Sequence, residues 1–315
     1  MELPSTLRRA VDLALEGVSL GALTEASQAL SRRYRAELRD GRLHLDDDMA
    51  ARAYLATRLP ATYAALRASL DAIAALRPAF APASLLDFGA GPGTALWAAQ
   101  DRWPSLNDAA LVEASPAIRA LGEILAGGCA VAHIAWSPAL TATAPRDLVT
   151  LAYVLDELDP ATGDALVDRL WSLTADTLLI VEPGTPAGWR RVLAARRRLF
   201  DAGAHLVAPC PHERDCPLEA PDWCHFSRRV ARARLHRQAK GGAVPWEDEK
   251  YLYLAVSRHP GPRAAARLIA PAQKGSRKVE LKLCRDDGTA GHRLFTRRDG
   301  EAFKQARRAD WGDAL

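Results

Sequence analysis

LLDFGAGPGT, residues 85–94, decides how this chain is read. Leu85 to Phe88 is a short apolar run carrying one acid, Asp87, and Gly89, Gly91 and Gly93 follow at alternate positions. The segment GTALWAAQDRW then has helix-forming composition, so the stretch reads as a strand turning sharply into a helix. Glycines at such a turn let the backbone approach a ligand closely, and the helix N-terminus favours electron-rich groups. A dinucleotide-binding G-x-G-x-x-G would require glycine at position 94, where the chain has Thr94.

The flanking sequence repeats the alternation. Strand-like runs SLLDFGAG, AALVEAS, CAVAHIAW, DLVTLAYVLDEL and TLLIVEPG are separated by helical segments GTALWAAQDRW, PAIRALGEIL, GDALVDRLWSL and GWRRVLAARRRLF. Strands alternating with helices predict an α/β fold with a parallel sheet covered on both faces. Upstream, LGALTEASQALSRRYRAEL, DDDMAARAYLATRLP and ATYAALRASLDAIAALRP have helical apolar spacing, the second ending at a proline. Downstream lie a cysteine-rich block, an arginine-rich helix over 226–240, a strand KYLYLAVSR, strands RKVELKLC and HRLFTRR, and a closing basic helix. The expected organisation is a helical region 1–60, an α/β domain 61–258 with a cysteine-rich insertion at 205–226, and a basic β-rich extension 259–315.

The pattern D-x-G-x-G-x-G resembles motif I of the class I S-adenosylmethionine-dependent methyltransferases, whose fold is Rossmann-like. The resemblance implies a cofactor site on Asp87, Gly89, Gly91 and Gly93, with the acid meeting the cationic methionyl end through the loop. Glu113 ends the next strand twenty residues past Gly93, where a carboxylate can accept both ribose hydroxyls. The run LAYVLDEL stands where such enzymes deliver catalytic residues. It lacks the [DNS]-P-P-[FYW] motif of amino-directed nucleic-acid enzymes and the cysteine nucleophile of those that methylate pyrimidine carbon. Tyr153, Asp156 and Glu157 are the polar residues nearest the expected methyl group; shaping the adenine pocket and capping the next helix are their alternative roles.

Among the 315 residues no apolar run approaches the ~18 needed to span a bilayer. Residues 1–17, MELPSTLRRAVDLALEG, show no signal-peptide core, and Glu2, Asp12 and Glu16 argue against a transit peptide, so a cytoplasmic protein is expected. The formal net charge of +4 conceals a polarity: residues 1–189 carry a net −8 and residues 190–315 a net +12. A one-sided surplus of that size suggests a polyanionic partner, of which nucleic acid is the commonest.

Three of the five cysteines fall in CPHERDCPLEAPDWCHF, residues 210–226. Cys210, Cys216 and Cys224, with the distant Cys284, show none of the paired C-x2-C knuckles of zinc ribbons. The spacing suits equally a cubane iron–sulfur cluster on four cysteines and a zinc site of three cysteines with His212 or His225. Cys129, at the start of an apolar run, reads as a core residue.

PCPHERDCPL, WCHFSRRVARARLHRQAKGG, PWEDEKYLYLAVSR, LKLCRDDG and KQARRADWGD together are similar to the methyltransferase-like proteins of the mitochondrial ribosomal small subunit and their bacterial relatives. The similarity runs from about residue 60 onward. It implies a class I methyltransferase domain, a 4Fe-4S cluster on Cys210, Cys216, Cys224 and Cys284, and action on small-subunit rRNA during assembly, as a methyltransferase or as a non-catalytic binding factor. The cluster would then pin a proline-rich loop that lacks an apolar core of its own. Arg228, Arg229, Arg232, Arg234, Arg237 and Lys240 would meet rRNA phosphates, and Trp223, His225 and Phe226 would stack on bases or pack at the cluster.

Overall fold

The computed structural model describes residues 1–36 and 43–315. Four helices open the chain: α1 (Ser5–Ala14), α2 (Leu20–Arg35), α3 (Asp48–Thr57) and α4 (Leu59–Leu76). Ser19 caps α2 and Asp47 caps α3, each side chain accepting a backbone N–H three residues on. Pro60, expected to end a helix, lies instead in the first turn of α4, where its missing N–H costs nothing. The predicted continuation of α2 through Glu37 and Leu38 lies outside the described residues.

The alternating segments follow as β1 (Ser84–Phe88), α5 (Thr94–Arg102), β2 (Asp108–Val112), α6 (Pro116–Ala126), β3 (His133–Ser137), β4 (Arg146–Ala152), α7 (Pro160–Ser172), β5 (Thr174–Pro183) and α8 (Pro186–Asp201). Then come β6 (His205–Ala208), β7 (Phe226–Ala231), α9 (Arg234–Ala239) and β8 (Trp246–Ser257). The main sheet runs β3-β2-β1-β4-β5-β8-β6, with β7 also paired to β8. The first five strands are parallel; β8 is antiparallel to both β5 and β6.

Side chains of β5 alternate between two cores, as a two-residue period demands. Leu179 and Val181 pack with α1 to α6, whereas Leu178 and Ile180 pack with α7 and α8. Both faces are covered, which is why the strands read as nearly continuous apolar runs. The tail forms a second sheet from β9 (Ala266–Leu268), β10 (Gln273–Lys274), β11 (Lys278–Arg285) and β12 (Ala290–Thr296), closed by α10 (Glu301–Arg308). It has a small core of its own around Leu281, Phe295 and Phe303.

Two local expectations are corrected. Residues 226–240 are not one helix: β7 pairs with β8 residue for residue from Phe226↔Tyr251 to Ala231↔Trp246, and only a short α9 follows. Arg228 and Arg229 stand directly opposite Glu249 and Asp248, cross-strand pairs of opposite charge that favour a ladder over a helix. Cys129 starts no strand, since β3 begins at His133; it is half-buried and its thiol donates to Gln100 Oε1.

Candidate cofactor and thiol sites

Gly89, Gly91 and Gly93 all adopt left-handed backbone, with φ of +70°, +54° and +80°. A Cβ on Gly89 would stand 2.3 Å from Val154 Cγ2, so that position excludes any side chain. A Cβ on Gly91 would face open space. The loop is tied down by Gly89 N and Ala90 N, which both donate to Val112 O. Glu113, just past β2, accepts from Gly91 N and Ser115 N, each at 2.8 Å. Gly91 and Glu113, 22 residues apart in sequence, are thus joined directly by a hydrogen bond.

Asp87 is 2% exposed and accepts from Thr150 Oγ1 at 2.7 Å. Burial pushes its carboxyl up to about 7, with the Thr150 hydrogen bond opposing and the Glu113 charge assisting. A folded-state value above the unfolded one means that the folded protein holds the extra proton. Stability is therefore highest below about pH 4 for this group and is lost as pH rises towards 7, by at most about 4 kcal/mol. Asp87→Asn, which keeps the acceptor for Thr150, should raise the melting temperature of the cofactor-free protein at pH 8 but not at pH 4. A melting curve shifted equally at both pH values would contradict this.

At the end of β4, Tyr153 has φ +58°, the one non-glycine residue with positive φ among the described residues. Such a conformation costs about 1–3 kcal/mol and persists where surrounding contacts enforce it. Here Tyr153 N donates to Val181 O, and its hydroxyl donates to Glu249 Oε1 at 3.1 Å. Asp156 is buried and faces Glu182 on β5; burial and the Asp156 charge push Glu182 up to about 8, against Arg191 at 3.1 Å. Glu157 is also pushed up to about 8, by burial and then by Asp156 and Glu113, and it lies 3.8 Å from His44. The three residues therefore turn three ways: Tyr153 to β8, Asp156 to β5, Glu157 to the N-terminal segment. The sequence reading missed Tyr54 and Glu249. The charges of Glu113 and Glu157 act on Tyr54, and Glu249 holds the Tyr153 hydroxyl. Only the acids Glu247 to Glu249, ahead of the apolar run of β8, hinted at Glu249.

Cys210, Cys216, Cys224 and Cys284 line one cavity, brought there from the end of β6, the β6–β7 loop and β11. Burial raises the thiols of Cys210 and Cys224 and pushes Cys284 up to about 12, and the other thiols raise each of them further. His212 borders the cavity, with Nε2 3.5 Å from Cys284 Sγ. His225 is stacked on Trp223 and edge-on to Trp311 instead. Phe226 is 1% exposed and packs on Tyr251 and Tyr253, so it is not available to bases. Among the described residues no group of three or more His, Cys, Asp and Glu side chains is arranged to hold a single metal ion.

Two arginines close the cavity. Arg196 and Arg267 are 5% and 3% exposed; Arg196 donates to the carbonyls of His212 and Arg214, and Arg267 to those of Pro209 and Gly312. Neither forms a salt bridge with a carboxylate among the described residues. Buried cations without a counter-charge are costly. Both charges act on the thiols of Cys210 and Cys284 in the same cavity, which fits a thiolate-ligated anionic centre.

The arginine-rich segment is partly neutralised by its own neighbour. Arg229 forms a bidentate pair with Asp248, and Arg232 and Lys240 share Glu247 at 2.9 Å. Arg228 is half-buried beside Tyr251, whereas Arg234 and Arg237 are exposed.

The strand order, the single antiparallel strand next to β5, and the glycine loop facing a carboxylate after β2 define a class I methyltransferase fold. A sequence profile described as Mitochondrial small ribosomal subunit Rsm22 matches residues 48–315, and the chain belongs to that family. It is 32% identical over 286 residues to the human mitochondrial ribosome assembly protein METTL17, covering 83% of this chain and 61% of that one. It is 24% identical over 347 residues to the mitochondrial Rsm22-cox11 tandem protein 2 of Schizosaccharomyces pombe, covering 92% and 46%. The chain thus spans about half to three-fifths of the length of these relatives. Among solved structures it is similar to an O-methyltransferase family protein from Burkholderia thailandensis, with TM-score 0.46 and 15% identity over 78% of this chain and 73% of that one. No described helix is long and apolar enough to cross a membrane.

These findings overturn the cytoplasmic expectation: the family and both relatives are mitochondrial by description. That expectation rested on acids in the first 17 residues, and such composition describes one segment rather than a compartment.

Proposed function

We propose that the chain binds S-adenosylmethionine in the loop of Asp87, Gly89, Gly91 and Gly93 and acts on small-subunit rRNA during ribosome assembly. The observation that carries this reading is the meeting of Glu113 with Gly91 at the mouth of a class I methyltransferase loop. Glu113 would exchange its two backbone partners for the ribose hydroxyls, and Asp87 would place negative charge behind the methionyl end. When bound, the cofactor supplies an electrophilic methyl group. Calorimetry with S-adenosylmethionine tests the site, and absence of binding would overturn it. Mass spectrometry of small-subunit rRNA from a deletion strain tests the transfer: one missing methyl group should return with the wild type.

A second reading, a cofactor-stabilised assembly factor without catalysis, is favoured by the hydroxyl of Tyr153 being held by Glu249. Asp156, the next polar residue at that end of β4, is turned to Glu182. Unaltered rRNA methylation in the deletion strain, with defective subunits, would select it.

Cys210, Cys216, Cys224 and Cys284 would hold a 4Fe-4S cluster as a structural fastener between the main sheet and the tail. Thiols lining a cavity, rather than converging on a point, support a cluster over zinc. Arg196 and Arg267 would balance its negative charge. Arg267→Leu should therefore speed loss of iron to a chelator by about tenfold, roughly one charge-assisted hydrogen-bond equivalent. An unchanged rate would show that Arg267 serves the backbone carbonyls alone.

A further inference from the structure

A second basic site lies where α9 packs against α2 and α3. An open cavity of about 500 Å³ is lined by Arg32 and Arg35 of α2, Arg58 at the end of α3, and Arg232 and Lys240 flanking α9. Its remaining lining is Ser27, Gln28, Ser31 and Ala239, none of them acidic. Glu247 does not line it and is already shared by Arg232, Lys240 and His236, 2.9 to 3.2 Å away. Arg32, Arg35 and Arg58 form no ion pair with a carboxylate among the described residues. Arg58 touches Ser31 Oγ at 3.3 Å and lies 5.3 Å over the Tyr34 ring, while the Nε atoms of Arg58 and Arg232 are buried without a partner. Five cations against two carboxylates, Glu247 and Glu249, whose charge acts on Arg58 and Lys240, leave a surplus of about three charges in one concavity.

We infer that this cavity, formed where α2 meets α9, is a phosphate-binding site that takes the backbone phosphodiester of single-stranded RNA. Guanidinium groups match phosphate oxygens in forked pairs, and several phosphates of a strand can be met along a pocket of this length. The site rests on the RNA reading above, yet it draws on α2, which precedes the family match beginning at residue 48. Its place also suits that reading. Tyr34, under Arg58, lies in the fields of Glu157 and Asp156, which follow β4, so the pocket neighbours that end of the sheet.

The test uses the full chain and a fluorescent 12-nucleotide single-stranded RNA, titrated from low to moderate salt. Arg32 and Arg35 are exposed, so R32E/R35E should fold normally, checked by its melting curve and by unchanged calorimetry with S-adenosylmethionine. That variant should bind RNA at least tenfold more weakly. R32A/R35A should flatten the slope of log K against log salt by about 1.4, at roughly 0.7 per contact on a single strand, and R32K/R35K should restore most of the affinity. Wild-type affinity in R32E/R35E would overturn the pocket while leaving RNA binding intact. No RNA binding by the wild type would overturn the reading on which the pocket rests. Inorganic pyrophosphate binding lost in R32E/R35E, without any RNA binding, would overturn RNA as the source of the phosphate.

Discussion

Serine at any one of Cys210, Cys216, Cys224 or Cys284 should take anaerobically purified protein from about four irons per chain to almost none, bleaching its brown colour. Cys129→Ser should leave both unchanged, because that thiol meets Gln100 and does not line the cavity. The effect should be large for a structural reason. Cys284 belongs to β11 of the second sheet, whereas Cys210 follows β6 of the first. Losing one ligand releases the link between the sheets and leaves Arg196 and Arg267 without a counter-charge. The tail core is small, so its melting should separate from that of the main sheet. Stoichiometric zinc with negligible iron after anaerobic reconstitution would overturn the cluster.

Gly91→Arg should abolish S-adenosylmethionine binding, reducing affinity more than a hundredfold. A β-carbon there has no protein atom within 4 Å, so the arginine would fill the open space where the ligand is proposed to sit. It also forces a β-carbon onto a φ of +54°, which costs about 1 kcal/mol or more. Gly89→Ala is the informative contrast. Its methyl group would strike Val154, so its main effect should be on folding stability rather than on the ligand. Calorimetry beside thermal melting separates the two, and cofactor affinity retained in Gly91→Arg would sink the site.

The sheet was legible because both its faces are buried: long apolar runs bounded by glycine and proline left little choice for β1, β4 and β5. The glycine loop was legible because backbone geometry restricts residue type there. The segment 226–240 was misread for an equally physical reason. Its arginines suit a helix surface as well as a strand edge, and the deciding partner, the acids of β8, lies fifteen or more residues away. The thiol cavity was half legible. Four cysteines could be grouped from their order, but Arg196 and Arg267 carry no local mark of being buried. Tyr54 and Glu249 were missed because tertiary packing alone brings them to the end of β4.

The pairing of β7 with β8 has a consequence for how the chain meets a polyanion. Arg229 with Asp248, and Arg232 and Lys240 with Glu247, form close pairs of opposite sign. The field of such pairs decays faster with distance than that of lone charges, and at physiological salt little of it survives beyond about 8 Å. This ribbon therefore cannot draw RNA in from afar, despite its count of arginines. Capture at a distance would fall to cations without a carboxylate partner among the described residues, Arg32 and Arg35 of α2, Arg234 and Arg237, and Arg307 and Arg308 of α10. The ribbon acts only on contact, when a phosphate displaces a carboxylate from its arginine. Association rates should thus depend on few charges, and dissociation rates on more.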